Sequence, residues 1–307
     1  MTVSVVILTR DEAMHIERAI RSVQSFATEV LVVDSGSKDG TVELAQNAGA
    51  RVLHNPWTNH ATQMNWAIPR VADDAEWIMR LDADEIVQPD LAREIRDKLP
   101  GIGAETDGIL VGRRMSFMGK PIRWGGVFPI RILRLIRKGR GRCENRWMDE
   151  HLVVEGPTVT FDNEILDDNL KPLTWWTEKH NAYSSLEVVD LLNLEARFLD
   201  TDTIADARGG QAGMKRWLKE RVYARLPGGS RAFAYFLYRY VVRLGFLDGV
   251  EGTAFHVLQG FWYRYLVDMK LRETRTYIAR TGCHPSEAVR DVLGIDLGGR
   301  TLADDGA

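Results

Sequence analysis

Cysteine is scarce: of 307 residues only Cys143 and Cys283 carry a thiol. Neither lies in a Cys-x-x-Cys or Cys/His ligand spacing, which excludes a disulfide framework and a zinc ribbon and fits a reducing cytoplasm. Net charge is also small, at -3 with a pI near 6.2. That excludes a surface built as a whole to neutralise nucleic-acid phosphates, so any basic site must be local. Long apolar runs are missing. A membrane-spanning helix needs about 20 mostly apolar residues, and the best stretch, Phe233 to Leu247, is interrupted by Arg239 and Arg243. The first residues lead straight into the apolar run Val3–Leu8 without the basic n-region or cleavage site of a signal peptide, so no export is expected. No Gly-x-Gly-x-x-Gly follows that run, which counts against a dinucleotide oxidoreductase. Thr9–Arg10–Asp11–Glu12–Ala13 contains no glycine at all. The glycine-rich activation loop of a sugar-1-phosphate nucleotidyltransferase is therefore absent as well.

What is present is alternation. Short apolar runs at Val3–Leu8, Val30–Val33, Val52–Leu53 and Trp77–Leu81 are followed by helical patterns at Ile16–Val23, Val42–Ala45, Met64–Ala67 and Leu91–Leu99. Strand and helix in turn imply βαβ units and a largely parallel sheet with right-handed crossovers. Ligands of such sheets bind beyond the carboxyl ends of the strands. The residues expected there are Thr9–Arg10–Asp11–Glu12, Asp34–Ser35–Gly36–Ser37, His54–Asn55 and Asp82–Ala83–Asp84–Glu85. From Gly108 to Phe161 the pattern becomes strand-like and rich in arginine, a mixed extension of the sheet. Beyond Trp175 it turns helical, with a polar hinge at Asp200–Gly213 and a frayed tail at Leu297–Ala307.

The sharpest chemical feature is the acidic run after Trp77–Ile78–Met79. Three carboxylates within four residues need a neutralising cation, and a hard divalent ion, Mg²⁺ or Mn²⁺, suits them. Alternation along an extended chain would let Asp82 and Asp84 face one side. A solvated acidic turn capping the helix at Pro89–Asp90 is the structural alternative. Asp34 ends the second strand in the same way and is placed to accept hydrogen bonds from a base or ribose. Asp39 and Thr41 have the character of a helix start.

In combination, Ile7–Leu8–Thr9–Arg10–Asp11–Glu12, the Asp34-Ser-Gly-Ser turn and Asp82-Ala-Asp84-Glu85 resemble glycosyltransferase family 2, the inverting enzymes with a GT-A fold. The resemblance is firm over about the first hundred residues. It implies an α/β Rossmann-like mixed sheet flanked by helices, with Thr9, Glu12 and Asp34 lining the nucleotide. Asp82 lies near the ribose and diphosphate, and Asp84 is the metal ligand. Arg10 joins this donor-binding set as a strand-end residue. Many relatives carry a basic residue before the asparagine of Ala61–Asn65, whereas this chain has Met64. Arg80 or an arginine of the middle segment is then left to meet the donor phosphate.

Inverting transfer also needs a base for the acceptor hydroxyl. Trp147–Met148–Asp149–Glu150–His151–Leu152 supplies candidates, with Glu150 in the position the resemblance assigns to the base and Asp149 as its alternative. His151 reads as a structural histidine facing a carboxylate. Between Met214 and Arg243 stand eight basic residues (Lys215, Arg216, Lys219, Arg221, Arg225, Arg231, Arg239 and Arg243) against the single acid Glu220, with aromatics interleaved. That composition suits an anionic membrane surface and a lipid-linked acceptor; amphipathic helices with a solvated basic face are the alternative. Tyr238–Arg239–Tyr240, Leu244–Gly249 and Leu258–Arg264 resemble the branch containing lipopolysaccharide-core β-glucosyltransferases. The Gln-x-x-Arg-Trp motif of processive synthases is absent, so one sugar per acceptor visit is expected.

The expected organisation is a catalytic GT-A domain over 1–170, a helical C-terminal region over 171–296 and a flexible tail over 297–307. The expected activity is transfer of one sugar from a UDP-linked donor to a lipid-linked or oligosaccharide envelope acceptor. It would take place in the cytoplasm, peripherally at the inner membrane face, without nucleic acid as partner. A non-catalytic glycan- or membrane-binding protein on the same fold is the rival reading.

Overall fold

Buried β-branched runs and short amphipathic helices build the first part of the chain. β1 (Val3–Thr9), β2 (Glu29–Asp34), β3 (Arg51–His54) and β4 (Trp77–Asp82) alternate with α1 (Ile16–Val23), α2 (Thr41–Asn47) and α3 (His60–Ala67). The four strands pair in parallel in the order β3-β2-β1-β4. Val3, Val5, Val6 and Ile7 are all buried, the near-continuous apolar run of a strand covered on both faces. α1 turns Ile16, Ala19, Ile20 and Val23 inward at helical spacing.

The computed structural model describes residues 1–144, 150–196, 198 and 229–297. Asp149, the hinge at Asp200–Gly213, the basic residues up to Arg225 and the tail beyond Leu297 lie outside that set. The chain divides into two compact units, one made of Met1–Glu144 with Glu150–Lys171 and the other running from Pro172.

In the first unit β5 (Glu85–Val87) and α4 (Pro89–Lys98) precede the arginine-rich strands β6 (Gly108–Phe117), β7 (Lys120–Ile122), β8 (Ile130–Arg137), β9 (Gly141–Cys143), β10 (Leu152–Val154) and β11 (Thr158–Asp167). β8 runs antiparallel to both β4 and β6, and β11 parallel to β6. The result is a mixed nine-stranded sheet, β3-β2-β1-β4-β8-β6-β11-β5 with β7 on β6, and a separate β9-β10 ribbon. Gly112 has a structural reason: a Cβ there would lie 2.9 Å from Cβ of Glu164, where β11 shifts register against β6. The two faces of the sheet carry two cores. β4 alternates between them, with Trp77, Met79 and Leu81 in one and Ile78 in the other beside Leu31, Met64, Ile136 and Cys143.

The second unit is helical. It contains α5 (Leu173–Ala196), α6 (Ser230–Leu237), α7 (Gly249–Phe255), α8 (Tyr263–Thr281) and α9 (Pro285–Leu293), with π-helical turns at Tyr238–Val242 and His256–Trp262. Val188, Val189, Leu192, Tyr263, Val267, Leu271 and Val289 form its own core. Among the described residues no helix is long and apolar enough to cross a membrane.

Candidate active site

Register brings three of the expected residues to one edge of the sheet. Thr9 pairs with Asp34 across β1 and β2, and Leu8 pairs with Asp82 across β1 and β4. Thr9 Oγ1 donates to Asp34 Oδ1 at 3.0 Å. The Asp34 carboxylate also accepts from the N–H groups of Gly36 and Ser37 at 2.8 and 2.9 Å and from Ser37 Oγ. Gly36 takes a φ of +103° in this turn, a region open to glycine and costly for other residues. Asp34 thus closes its own turn, the work that the sequence reading gave to its neighbours. Asp39 does act at the helix start, accepting from the N–H of Thr41 at 3.1 Å.

The loops after β1 and β2 are laced together. The N–H groups of Asp11, Glu12 and Ala13 donate to Ser37 Oγ, Thr41 Oγ1 and Asp39 Oδ2 at 2.8, 2.8 and 3.0 Å, and Asp11 Oδ1 accepts from Lys38 N–H at 2.7 Å. Arg10 is half-buried at the start of this loop. Glu12 is held from two sides, by Lys171 Nζ at 2.8 Å and by His15 Nδ1. His15 Nε2 accepts the N–H of Leu170 at 2.9 Å, so Nδ1 carries the proton and donates to Glu12. Backbone amides and side chains are therefore fixed before any ligand arrives.

The acidic run does not behave as one cluster. β4 ends at Asp82 and the chain turns at Ala83–Asp84 before β5, so Asp84 lies in a turn and not in the extended strand. Asp82 is bound by Arg80 Nε on one oxygen and Arg134 Nη2 on the other, both at 3.1 Å. Glu85, wholly buried, accepts the N–H of Asp82 at 3.0 Å and contacts Arg134 and Arg113. Burial raises the Asp82 carboxyl, but the charges of Arg80 and Arg134 outweigh it and hold the group well below the usual carboxylate range. Burial pushes Glu85 up to about 7 against the pull of Arg134, and the nearby Asp82 adds to the rise. Guanidinium groups are thus the cations that neutralise two of the three carboxylates. Asp84 stands apart. Asn169 Nδ2 donates to its Oδ2 at 2.9 Å, and no arginine bridge to it is seen among the described residues. No three His, Cys, Asp or Glu side chains there converge as a metal cage.

Arg80 faces away from open solvent. Its Nη1 donates to the carbonyl of Glu150 at 3.1 Å, and its Nη2 lies 3.5 Å from Glu150 Oε1. One side chain therefore ties the strand-end Asp82 to the expected base. Asn65 steadies the same region by a reciprocal pair of 2.8 Å bonds to the backbone of Cys143, which pairs with Leu152 two residues beyond Glu150. Met64 is buried in the core, so this chain does not present a cation there. His151 faces Glu144, with Nδ1 at 3.1 Å from Oε1.

His15, Asn169 and Lys171 carried no motif, and Arg113 and Arg134 belong to the arginine-rich middle segment, from which an arginine was expected to meet the donor phosphate. Asp82 and Arg134 are 52 positions apart, a separation at which residue spacing carries no signal.

The braced carboxylate edge lies beyond the carboxyl ends of the parallel strands, where ligands of open α/β sheets bind. Residues 4–169 match the model of Glycosyl transferase family 2, and the chain belongs to that family. Its first unit is a mixed sheet flanked by helices, the α/β class expected from the sequence. A lipopolysaccharide core biosynthesis glycosyltransferase, LpsC, of Rhizobium meliloti is 33% identical over 204 residues, covering 61% of this chain and 70% of that one. An uncharacterized glycosyltransferase of Rickettsia bellii is 42% identical over 102 residues, 33% of each chain. The match thus spans a third of that relative's length. Among solved structures, glucosyl-3-phosphoglycerate synthase from Mycobacterium tuberculosis, in complex with Mn²⁺, UDP and glucosyl-3-phosphoglycerate, is 23% identical. That match covers 37% of this chain and 44% of the other, with a TM-score of 0.32.

Proposed function

We propose that the protein transfers one sugar, with inversion, from a UDP-linked donor to a lipid-linked or oligosaccharide acceptor of the cell envelope. The observation that carries this reading is the shared edge of Thr9, Asp34 and Asp82, joined through Arg80 to Glu150. Residues 1–170 would hold the donor and the chemistry, and 171–296 would meet the acceptor. The envelope acceptor is supported by the likeness to the lipopolysaccharide core enzyme. Work in the cytoplasm, peripherally at the inner membrane face, is part of the same proposal.

Thr9, Arg10, Glu12 and Asp34 would line the nucleotide, with Asp82 toward the ribose and diphosphate. Arg80 enters this set through its bonds to Asp82 and Glu150. Asp84, a hard oxygen donor steadied by Asn169, fits a Mg²⁺ or Mn²⁺ that takes its other ligands from phosphate and water. Such an ion supplies charge neutralisation for the leaving diphosphate. Glu150 accepts the acceptor proton as the hydroxyl oxygen attacks the anomeric carbon, and Asp149 is its alternative.

Isothermal titration with UDP, GDP, CMP and dTDP, with and without Mn²⁺, tests the donor class. UDP alone should bind, metal-dependently, and Asp84→Asn should lose that dependence. Absence of binding by every nucleotide would overturn the reading and favour a non-catalytic protein.

A further inference from the structure

Polarity is inverted in the segment that joins α6 to α8. Arg239, His256 and the Asp248 side chain are buried, at 2%, 0% and 3% exposure. Val241, Val242, Leu244, Phe246, Leu247 and Val250 are exposed, Val242 at 66% and Val250 at 82%. Scattered apolar side chains on a surface are ordinary; six within ten consecutive residues are not.

The outward display is built in. Arg239 contacts Gln259, Tyr240 Oη lies 3.0 Å from Thr253 Oγ1, and His256 Nε2 lies 3.7 Å from Asp248 Oδ2. The contacts of Arg239 and Tyr240 hold the turn down on α7 and the π-helical turn after it. Gly245 is required for that closeness, because a Cβ there would lie 2.6 Å from His256 Nε2. At the tip Leu244 adopts a φ of +59°, a left-handed conformation that leucine rarely takes. The chain thus keeps a strained apolar tip above a polar base. Arg243 is exposed beside it and reaches Tyr238 Oη at 3.4 Å. Arg243 is the cation that this segment shows to solvent: Arg239 is buried and Arg231 is paired with Asp268.

We propose that Val241–Val250 is a wedge that enters the interfacial region of a bilayer containing anionic phospholipid. Its apolar side chains sit among the acyl chains near the headgroups, while Arg243 meets phosphate and Tyr238 lies at the boundary. A second copy seated on the same patch fits less well, since it would bring Arg243 toward its own counterpart. This deepens and rests on the lipid-linked acceptor reading, by naming the segment that brings the enzyme to the surface.

Flotation of the full chain with two kinds of vesicle tests it: phosphatidylcholine with phosphatidylglycerol, and phosphatidylcholine alone. The protein should float with the first about fivefold more than with the second, the preference one arginine near the surface supplies. Val242→Asp with Val250→Asp should lower vesicle-bound protein roughly tenfold or more, with unchanged melting temperature, as expected for exposed positions. Arg243→Glu should weaken binding to the anionic vesicles alone. Failure to float on either vesicle, or equal flotation of the Asp variants, would overturn the wedge. Equal capture by both vesicles would overturn the anionic assignment. A concentration-dependent dimer dissolved by Val250→Asp would replace it with self-association. UDP titration of the same preparation separates the two readings: nucleotide binding without flotation leaves the transferase standing, and flotation without nucleotide binding leaves only the wedge.

Discussion

Arg134 shows how much one side chain decides. Its guanidinium contacts both Asp82 and the buried Glu85, so its removal leaves Asp82 to Arg80 alone and Glu85 to the more distant Arg113. Breaking a buried ionic arrangement from one side costs about 3–5 kcal/mol, more than the pair itself contributes. Arg134→Met should therefore destabilise the first unit by about that amount, measured by denaturant unfolding. Arg134→Met combined with Glu85→Gln should recover part of it. Glu150 belongs to chemistry rather than stability. A positioned base contributes about 10²–10⁴-fold, so Glu150→Gln should lower kcat by that factor with UDP affinity nearly unchanged by titration. Full activity in that variant would remove Glu150 from the base role.

At the scale of elements, α4 is fastened to β11 by one carboxylate. Glu94 accepts the N–H groups of Asp162 and Asn163, Asn163 Nδ2, and Lys98 Nζ at 2.7 Å. Burial raises its pKa, but these donors outweigh it and bring the group from 4.5 down to about 2. A carboxyl with a depressed folded pKa stabilises the fold above its unfolded value and loses that contribution as pH falls through the folded one. About 3 kcal/mol should disappear between pH 4.5 and 2. Glu94→Gln should flatten this acid limb in unfolding experiments, at the expense of stability near neutrality. An unchanged limb would mean that the junction does not depend on Glu94.

For the whole molecule, each unit has a core of its own, so calorimetry of the full chain should resolve two transitions. A ligand of the first unit should move only one of them, by about 2.7 kcal/mol at a hundredfold excess over Kd. A shift of both by UDP with Mn²⁺ would show that the second unit contributes to the donor site.

The parallel half of the sheet was legible in the sequence, because the periods of strand and helix are local and the ligand edge follows from strand direction. Thr9, Asp34 and Asp82 could be picked out in advance for that reason, and the mixed extension and the helices beyond Trp175 followed from their pattern. The sequence did not reveal which cation answers each carboxylate. Arg134 meets Asp82 and Glu85 only because β8 runs antiparallel between β4 and β6, and pairing over such separations is set by sheet order rather than spacing. Nor did the period of Phe233–Leu247 disclose its inverted polarity: hydropathy alone cannot say that Arg239 is inside and Val242 outside. The sequence by itself determined the strands, their direction and the residues at their ends; the tertiary structure decided the partners of those residues, because charges separated along the chain are neutralised only where the fold brings them together.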